Sequence, residues 1–359
     1  MRTLQLVGFA LIAVPSLPAL EAPERLNLLA YRDESGTTRA IAQREDWEPR
    51  RRQILAAMQE VMGKLPGEER RCPLDMKIEE EVDGGDHVRR LVTYQAEPGS
   101  RTPAFLLIPK AALVTAGEQF PAVLCLHPTN LELGHRVVVG LGPRENRAYA
   151  LELAQRGFVT IAPAYPLMAN HQPDLRRLGY ESGTMKAIWD NVRALDLLET
   201  LPFVKRDGFG AIGHSLGGHN AIFTAAFDPR IRVVVSSCGF DSFRDYYAGD
   251  PRVWQPGKGW TQARYMPRLA SYAGELDSVP FDFHEVLAAL APRRVFISAP
   301  LGDHNFQAGS VDRMVAAARP IFGLFGASEA LEVEHPAGGH GFPEAIREQA
   351  YSVLEKELR

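Results

Sequence analysis

The strongest clue to the fold is an alternation, after residue 120, of short apolar runs with segments of helical periodicity. Runs that stay apolar along their length are typical of parallel strands buried on both faces. The runs that predict strands are 121–127, 158–165, 208–213, 231–238, 293–300 and 330–335. The segments that predict helices are 146–157, 185–201, 216–227, 311–322 and 343–358. Together they predict an α/β protein with a mostly parallel central sheet and helices on both faces.

Three other regions do not follow this alternation. Residues 76–109 contain three β-type runs joined by turn compositions, which predict an antiparallel meander before the parallel strands. Residues 23–75 are charged and have helical spacing, so we expect a helical N-terminal extension packed on the main domain at 76–359. Residues 239–280 are rich in aromatic side chains, and we interpret them as an insertion over the carboxyl edge of the sheet, where ligands bind in such folds.

The N-terminus has the composition of a secretory signal peptide. One cation, Arg2, precedes an apolar run at 6–14, and small residues and prolines lead to Ala22. The apolar run is shorter than the ~20 residues that cross a bilayer, and no later segment is long and apolar enough. We therefore predict a signal peptide at 1–22, a secreted or periplasmic protein, and no membrane span.

Composition and cysteine usage exclude several classes of function. The formal net charge is −4 and no basic stripe is interleaved with aromatics, so nucleic acid is not an expected partner. The three cysteines, Cys72, Cys125 and Cys238, form no disulfide framework. No Cys/His cluster has metal-ligand spacing, so neither a metal nor a cofactor is expected.

One serine lies in a sequence context that is typical of a nucleophile. Gly213-His214-Ser215-Leu216-Gly217 fits the G-x-S-x-G pattern, with a predicted strand before it and a predicted helix after it. A serine on such a sharp turn leaves no room for side chains two residues before and two residues after it. Glycine at both positions removes the clash and lifts the Ser215 Oγ above the edge of the sheet.

A serine nucleophile needs a histidine base and a carboxylate that orients it. His340 lies in a glycine-rich loop between the last predicted strand and the last helix, and His335 is the second candidate. Asp303 follows the strand at 293–300, which is the usual place for the acid, whereas Asp241 follows the preceding strand and is its competitor. The chain order of serine, acid and histidine is that of the α/β-hydrolase pattern.

Stabilising the charge of the reaction intermediate requires two backbone N–H groups. Leu216 follows the nucleophile and supplies the first. The second comes from the loop after the strand at 121–127, where Pro128 has no N–H. Thr129 is the preferred donor, and His127 is the alternative.

With LHPTN, GHSLGG, LGDHNF and GGHGF in this order, the chain resembles the α/β-hydrolase superfamily over about 75 to 359. It is similar to the dienelactone-hydrolase-like and acetyl xylan esterase-like branch, many of whose members are exported. Dienelactone hydrolases themselves have cysteine where this chain has Ser215. The stretch 281–297 is also similar to glucuronoyl esterases, whose acid can follow the earlier strand, which keeps Asp241 as an alternative.

The residues and the resemblance together favour a serine esterase that works through an acyl-enzyme on a carbohydrate or plant-polymer ester. Flat aromatic rings stack on sugars, so Trp254, Trp260 and Tyr265 of the insertion are candidate substrate contacts. The alternatives are a glucuronoyl-type esterase, a peptidase with the same triad, and a non-catalytic binding protein of the same fold. The sequence leaves the oligomeric state open.

Overall fold

The computed structural model describes residues 25–143 and 147–359, and the predicted signal peptide at 1–22 lies outside them. In chain order the described strands are β1 (Ala30–Arg32), β2 (Thr38–Ala40), β3 (Lys77–Asp83), β4 (His87–Glu97), β5 (Ser100–Pro109), β6 (Ala122–Leu126), β7 (Val159–Pro163), β8 (Phe209–His214), β9 (Ile231–Ser237), β10 (Arg294–Ser298) and β11 (Leu331–Glu334). The described α-helices are α1 (Trp47–Met62), α2 (Lys110–Val114), α3 (Tyr149–Gln155), α4 (Gly183–Thr200), α5 (Leu216–Phe227), α6 (Phe283–Ala288), α7 (Ala308–Leu324) and α8 (Glu344–Leu358).

Nine of these strands form one sheet in the order β11-β10-β9-β8-β6-β7-β5-β4-β3. The six strands from β6 to β11 pair in parallel, while β3, β4 and β5 form the predicted antiparallel meander. The chain leaves β6 for β7 on one side and returns to β8 on the other. Loops that follow neighbouring strands on the two sides of such a reversal diverge, and the crevice they leave is where ligands bind.

The two faces of the sheet are covered by separate sets of helices. Successive strand side chains point to opposite faces, and in β6 Leu124 belongs to one core cluster while Val123 and Cys125 belong to another. The first cluster packs against α1, α4, α5, α6 and α7, and the second against α3 and α8. The prediction of a mostly parallel sheet with helices on both faces is therefore confirmed.

The N-terminal extension is less uniformly helical than its composition predicts. Helix α1 buries Trp47, Ile54 and Met58 against the main domain. A two-stranded hairpin of β1 and β2 precedes it, closed by a turn in which the Asp33 carboxylate accepts hydrogen bonds from backbone N–H groups. Strands of three residues are too short to show the alternation by which a sequence reveals a strand.

Residues 239–280 contain short 3-10 turns, the first at Tyr246–Gly249 and the last at Leu276–Ser278. Their buried aromatic rings pack against one another and belong to the first of the two core clusters. Within the described parts of the chain, no helix combines the length and the apolarity that crossing a membrane requires.

Candidate active site

Ser215 lies on the turn between β8 and α5, in a backbone conformation that few residues other than glycine adopt. Its φ is +56° and its ψ is −124°. Its N–H donates to the carbonyl of Ser237 at 2.8 Å, which ties the turn to the end of β9. Strain held by the surrounding structure is a frequent feature of functional sites, and here it directs the hydroxyl out of the sheet.

Two glycines flank this turn because the backbone comes too close for a side chain. A Cβ on Gly213 would lie 2.1 Å from the carbonyl carbon of Gly217, and a Cβ on Gly217 would lie 1.9 Å from the Leu126 carbonyl oxygen. Both obstacles are main-chain atoms, which cannot turn away as a flexible side chain would. The steric reason inferred from the G-x-S-x-G spacing agrees with these distances.

We expect Gly217→Ala to lower the free energy of unfolding by roughly 3 kcal/mol, because the new methyl group forces β6 and α5 apart. Gly309→Ala is the matched control: Gly309 lies in the first turn of α7, and the nearest atom to a Cβ there is 3.9 Å away. Replacing that glycine should change stability by less than about 1 kcal/mol, in the stabilising direction. Urea unfolding of both variants measures the difference, and equal stabilities would contradict the steric account.

The structure brings Ser215, His340 and Asp303 together in one hydrogen-bonded chain. The Ser215 Oγ lies 2.8 Å from the His340 Nε2, and the His340 Nδ1 lies 2.8 Å from the Asp303 Oδ2. A carboxylate only accepts hydrogen bonds, so the Nδ1 donates to Asp303 and leaves the Nε2 free to accept from the serine. The His340 side chain is 25% exposed and that of Asp303 only 1%.

The environment of Asp303 keeps its carboxyl group ionised. Burial by itself would raise the pKa of Asp303, but the hydrogen bond and charge of His340 outweigh it and lower the pKa below its usual value. The backbone N–H groups of Asn305 and Phe306 also donate to the carboxylate. An ionised acid in this position fixes the tautomer of the imidazole.

The two rival candidates have other partners. His335 contacts the Ala299 carbonyl through Nδ1 and the Asp312 carboxylate through Nε2, so neither of its nitrogens contacts Ser215. Asp241 accepts a hydrogen bond from the N–H of Gln307 at 3.0 Å. Its second oxygen has no hydrogen-bond partner among residues 25–143 and 147–359. Of the two carboxylates, Asp303 is the one that His340 contacts.

Burial raises the pKa of Asp241 to about 8, with smaller contributions from nearby carboxylates. Because the folded-state value lies above the unfolded one, the stability that this group contributes is fully present below about pH 4 and is lost as the pH rises to about 8. We expect Asp241→Asn to be more stable than the wild type at pH 9, by an amount on the order of a few kcal/mol. The difference should shrink towards pH 4.

Urea unfolding at a series of pH values measures this effect, with the exposed carboxylate variant Asp207→Asn as the control. A stability difference between Asp241→Asn and the wild type that does not change with pH would contradict the assignment of a neutral, buried carboxyl group.

The loop after β6 places Thr129 beside the serine. Thr129 and Leu216 line the same cavity as Ser215 and His340. The Thr129 N–H makes no hydrogen bond within the described residues, and the Leu216 N–H is at the first position of α5, where helices leave N–H groups unpaired. Both residues therefore stand at the cavity together with Ser215, and their role as oxyanion donors stays a prediction.

His127 has a supporting place behind this loop. It is 3% exposed and is not among the residues that line the cavity. Burial lowers the pKa of His127 to about 4, so the ring is neutral at pH 7. Its Nδ1 donates to the Pro128 carbonyl and its Nε2 accepts from the N–H of Tyr165, which fixes the backbone next to Thr129.

The cavity above Ser215 has a volume of about 810 Å³. Trp260 and Tyr265 line it, as the aromatic composition of the insertion predicts, and the Tyr265 hydroxyl lies 2.8 Å from the Thr129 Oγ1. Trp254 does not line it: the ring is 1% exposed and packs against the rings of Phe243 and Tyr246. The prediction for Trp254 fails because an insertion needs a small apolar core of its own, and sequence does not separate core rings from surface rings.

Several residues that line the cavity belong to no motif that would mark them in the sequence. They lie on the insertion and on the loop after β10, and they include Tyr246, Lys258, Gln262, Asn305 and Phe306. Asn305 and Phe306 stand two and three positions after Asp303, inside the same LGDHNF stretch. Their nearness to the acid was the one signal that could have identified them.

Solved structures with the same fold include a glucuronoyl esterase from Solibacter usitatus and a Bacteroides fragilis structure named as an acetyl xylan esterase. The first has a TM-score of 0.73 at 21% identity, covering 96% of this chain and 98% of that one. The second has a TM-score of 0.58 at 16% identity, covering 88% and 87%. These likenesses, at 21% and 16% identity, show that the chain shares the α/β-hydrolase fold with the two solved structures.

More narrowly, residues 176–326 match the family model of the fungal glucuronyl esterases. The hydrolase-named YtaP of Bacillus subtilis is 30% identical over 171 residues, which are 48% of this chain and 53% of YtaP. A 4-O-methyl-glucuronoyl methylesterase of Wolfiporia cocos is 24% identical over 269 residues, covering 71% of this chain and 61% of that protein. The chain thus spans between about half and three fifths of the length of these relatives.

Proposed function

We propose that the protein is a serine esterase that hydrolyses carboxylic esters of carbohydrates. The observation that carries this proposal is the hydrogen-bonded chain from the Ser215 hydroxyl through His340 to Asp303, of which Ser215 and His340 line a cavity of about 810 Å³. The histidine base lies 2.8 Å from the serine hydroxyl, and an ionised acid orients the base. This is the arrangement that makes a serine nucleophilic.

The geometry supports a two-step reaction. The Ser215 Oγ attacks the ester carbonyl while the His340 Nε2 accepts its proton, and the N–H groups of Leu216 and Thr129 stabilise the negative charge of the tetrahedral intermediate. His340 then donates the proton to the departing alcohol, which leaves an acyl-enzyme on Ser215. In the second step His340 takes a proton from water, and the resulting hydroxide releases the acid.

A uronic acid ester is the substrate class that we favour. The family model and the Wolfiporia cocos relative both refer to glucuronoyl esters. The cavity suits a sugar ring, because the indole of Trp260 and the phenol of Tyr265 offer apolar faces beside the polar ends of Gln262 and Asn305. In such an ester the uronic acid supplies the carbonyl that Ser215 attacks, and the alcohol leaves.

An acetyl ester on a carbohydrate is the second candidate, because the Bacteroides fragilis structure shares the fold. The acyl group left on Ser215 would then be small, and the sugar would be the leaving alcohol. In a uronic acid ester the cavity holds the acid side of the scissile bond, and in an acetyl ester it holds the alcohol side. The two candidates therefore predict different rates of hydrolysis when the acid part of the ester is changed.

A panel of matched esters tests both candidates. We expect benzyl glucuronate to be hydrolysed with a kcat/KM at least tenfold above that of benzyl acetate, since only the former carries a sugar on the acid side. Acetylated xylan hydrolysed faster than benzyl glucuronate would instead favour the acetyl ester. Release of benzylamine from N-benzyl glucuronamide at a rate comparable to that of benzyl glucuronate would indicate a peptidase-type activity. No turnover of any ester would indicate a binding protein.

We also propose that the protein is exported, on the basis of the leader composition at 1–22. Polymeric carbohydrate esters occur outside the cell, so export and the favoured substrate class agree. N-terminal sequencing of the protein secreted by its own host tests this, with cleavage near Ala22 as the expected result.

A further inference from the structure

A cysteine that the proposed reaction does not use lies beside its histidine and its acid. One donor atom each of Cys238, Asp303 and His340 can be chosen so that the three lie within 4.8 Å of one another. The Cys238 side chain is buried, and the residue follows β9 directly, at the same edge of the sheet as Ser215 and Asp303. Sulfur, nitrogen and carboxylate oxygen together are a donor set that Zn²⁺ and similar soft cations prefer.

We propose that Cys238, Asp303 and His340 form a binding site for a thiophilic divalent cation such as Zn²⁺ or Cd²⁺, and that the bound ion switches the esterase site off. The binding itself is independent of the proposed function, whereas its inhibitory effect rests on that function.

The backbone around Cys238 holds the thiol in place between the two loops that supply the other ligands. The Cys238 N–H donates to the Ser298 carbonyl at 2.8 Å, at the end of β10, and its φ is +48°. The thiol donates to the Gly341 carbonyl at 3.3 Å, one residue after His340. The donor therefore points towards the base loop and lies next to the acid loop.

The distances need only a small adjustment to suit an ion. In a tetrahedral site with bonds of about 2.3 Å to sulfur and about 2.0 Å to nitrogen or oxygen, the ligand atoms lie about 3.5 Å apart. Contraction by about 1 Å is within reach of side-chain rotation, because glycines precede and follow His340 in the sequence. The ion can approach from the cavity, which His340 lines.

Coordination would remove the base by changing the tautomer of the imidazole. The ion occupies the His340 Nδ1, which now donates to Asp303 at 2.8 Å. The proton of that nitrogen moves through solvent to the Nε2, and the thiol proton is released to water, so one proton leaves for each ion bound. A protonated Nε2 cannot accept the proton of Ser215, and nucleophilic attack stops.

A binding experiment without turnover tests the site. Ser215→Ala keeps all three ligands, and its titration with Cd²⁺ should give a thiolate-to-cadmium absorption band in the ultraviolet that saturates at one equivalent. The band should persist when Cys72→Ser is added and disappear when Cys238→Ser or Cys238→Ala is added. A band that survives both Cys238 changes, or one that depends on Cys72, would overturn the proposal.

An activity experiment tests the inhibition. After chelator treatment, the wild type should lose at least 90% of its ester hydrolysis on addition of Zn²⁺ and recover it with EDTA, while Mg²⁺ has no effect because it prefers oxygen ligands. Cys238→Ala and Cys238→Ser, each compared with its own uninhibited rate, should need at least tenfold more Zn²⁺ for half-inhibition. Equal sensitivity of wild type and both variants would refute the inhibition through Cys238. If the wild type hydrolyses no ester, the proposed function fails, and the Cd²⁺ band still decides whether the metal site exists.

Discussion

Ser215→Ala should lower kcat for ester hydrolysis by roughly 10⁶-fold, the scale of loss when a triad serine is removed. No other group in the described site stands within hydrogen-bond distance of the His340 Nε2 as an alternative nucleophile, since that nitrogen contacts the Ser215 Oγ at 2.8 Å. The remaining donors of Leu216 and Thr129 would still stabilise an oxyanion formed by water. Some rate above that of the uncatalysed reaction should therefore persist.

Steady-state and burst kinetics on benzyl glucuronate or an aryl acetate measure this loss, with KM expected to change much less than kcat. Ser352→Ala is the matched control, because Ser352 is an exposed serine on α8 whose hydroxyl donates to the Glu348 carbonyl of its own helix. The control should keep the wild-type rate. Activity of Ser215→Ala within tenfold of the wild type would mean that the nucleophile is elsewhere.

Asp303→Asn should lower kcat by roughly 10⁴-fold. The amide that replaces the carboxylate can donate to the His340 Nδ1, which then becomes an acceptor and moves its proton to the Nε2. That tautomer donates to the Ser215 Oγ and cannot act as a base. The His340–Asp303 contact of 2.8 Å and the buried state of the carboxylate both make this substitution costly for catalysis.

Asp241→Asn is the counterpart of this experiment on the other candidate acid. It replaces a carboxyl group that accepts from the Gln307 N–H and does not contact His340, so kcat should remain within a fewfold of the wild type. A pH–rate profile for both variants separates loss of the orienting acid from an indirect effect of the substitution on the structure. Only the loss of the orienting acid should lower kcat at every pH. A large loss in Asp241→Asn together with a small loss in Asp303→Asn would reverse the assignment.

Much of the fold could be predicted from the sequence because its elements have strong local patterns. The predicted helix at 216–227 has the same bounds as α5, and the three strands β3, β4 and β5 lie within the predicted meander at 76–109. Patterns of this kind arise from one face or both faces of an element being buried, and they survive without knowledge of the neighbours. The hairpin of β1 and β2 was missed because three residues per strand are too few to show any period.

Some features of the candidate site likewise follow from the local sequence, whereas others depend on contacts between distant residues. The sequence by itself determined the turn that carries Ser215, because a Cβ on Gly213 would meet the backbone of Gly217 across the turn itself, so this part of the G-x-S-x-G pattern is local. It also restricted the acid to two positions after successive strands. Those positions lie at the same edge of the sheet, and no local pattern distinguishes them.

Only the tertiary structure decided which of Asp241 and Asp303 contacts His340. It also decided which aromatic rings line the cavity and which form the core of the insertion. The position of the Cys238 thiol beside Asp303 and His340 likewise became known only from the structure. The physical reason is clearest for Cys238, Asp303 and His340, which come from loops more than thirty residues apart in the chain. Their distances depend on how the strands are ordered and how far each loop rises above the sheet, and these quantities are set by packing across the whole domain.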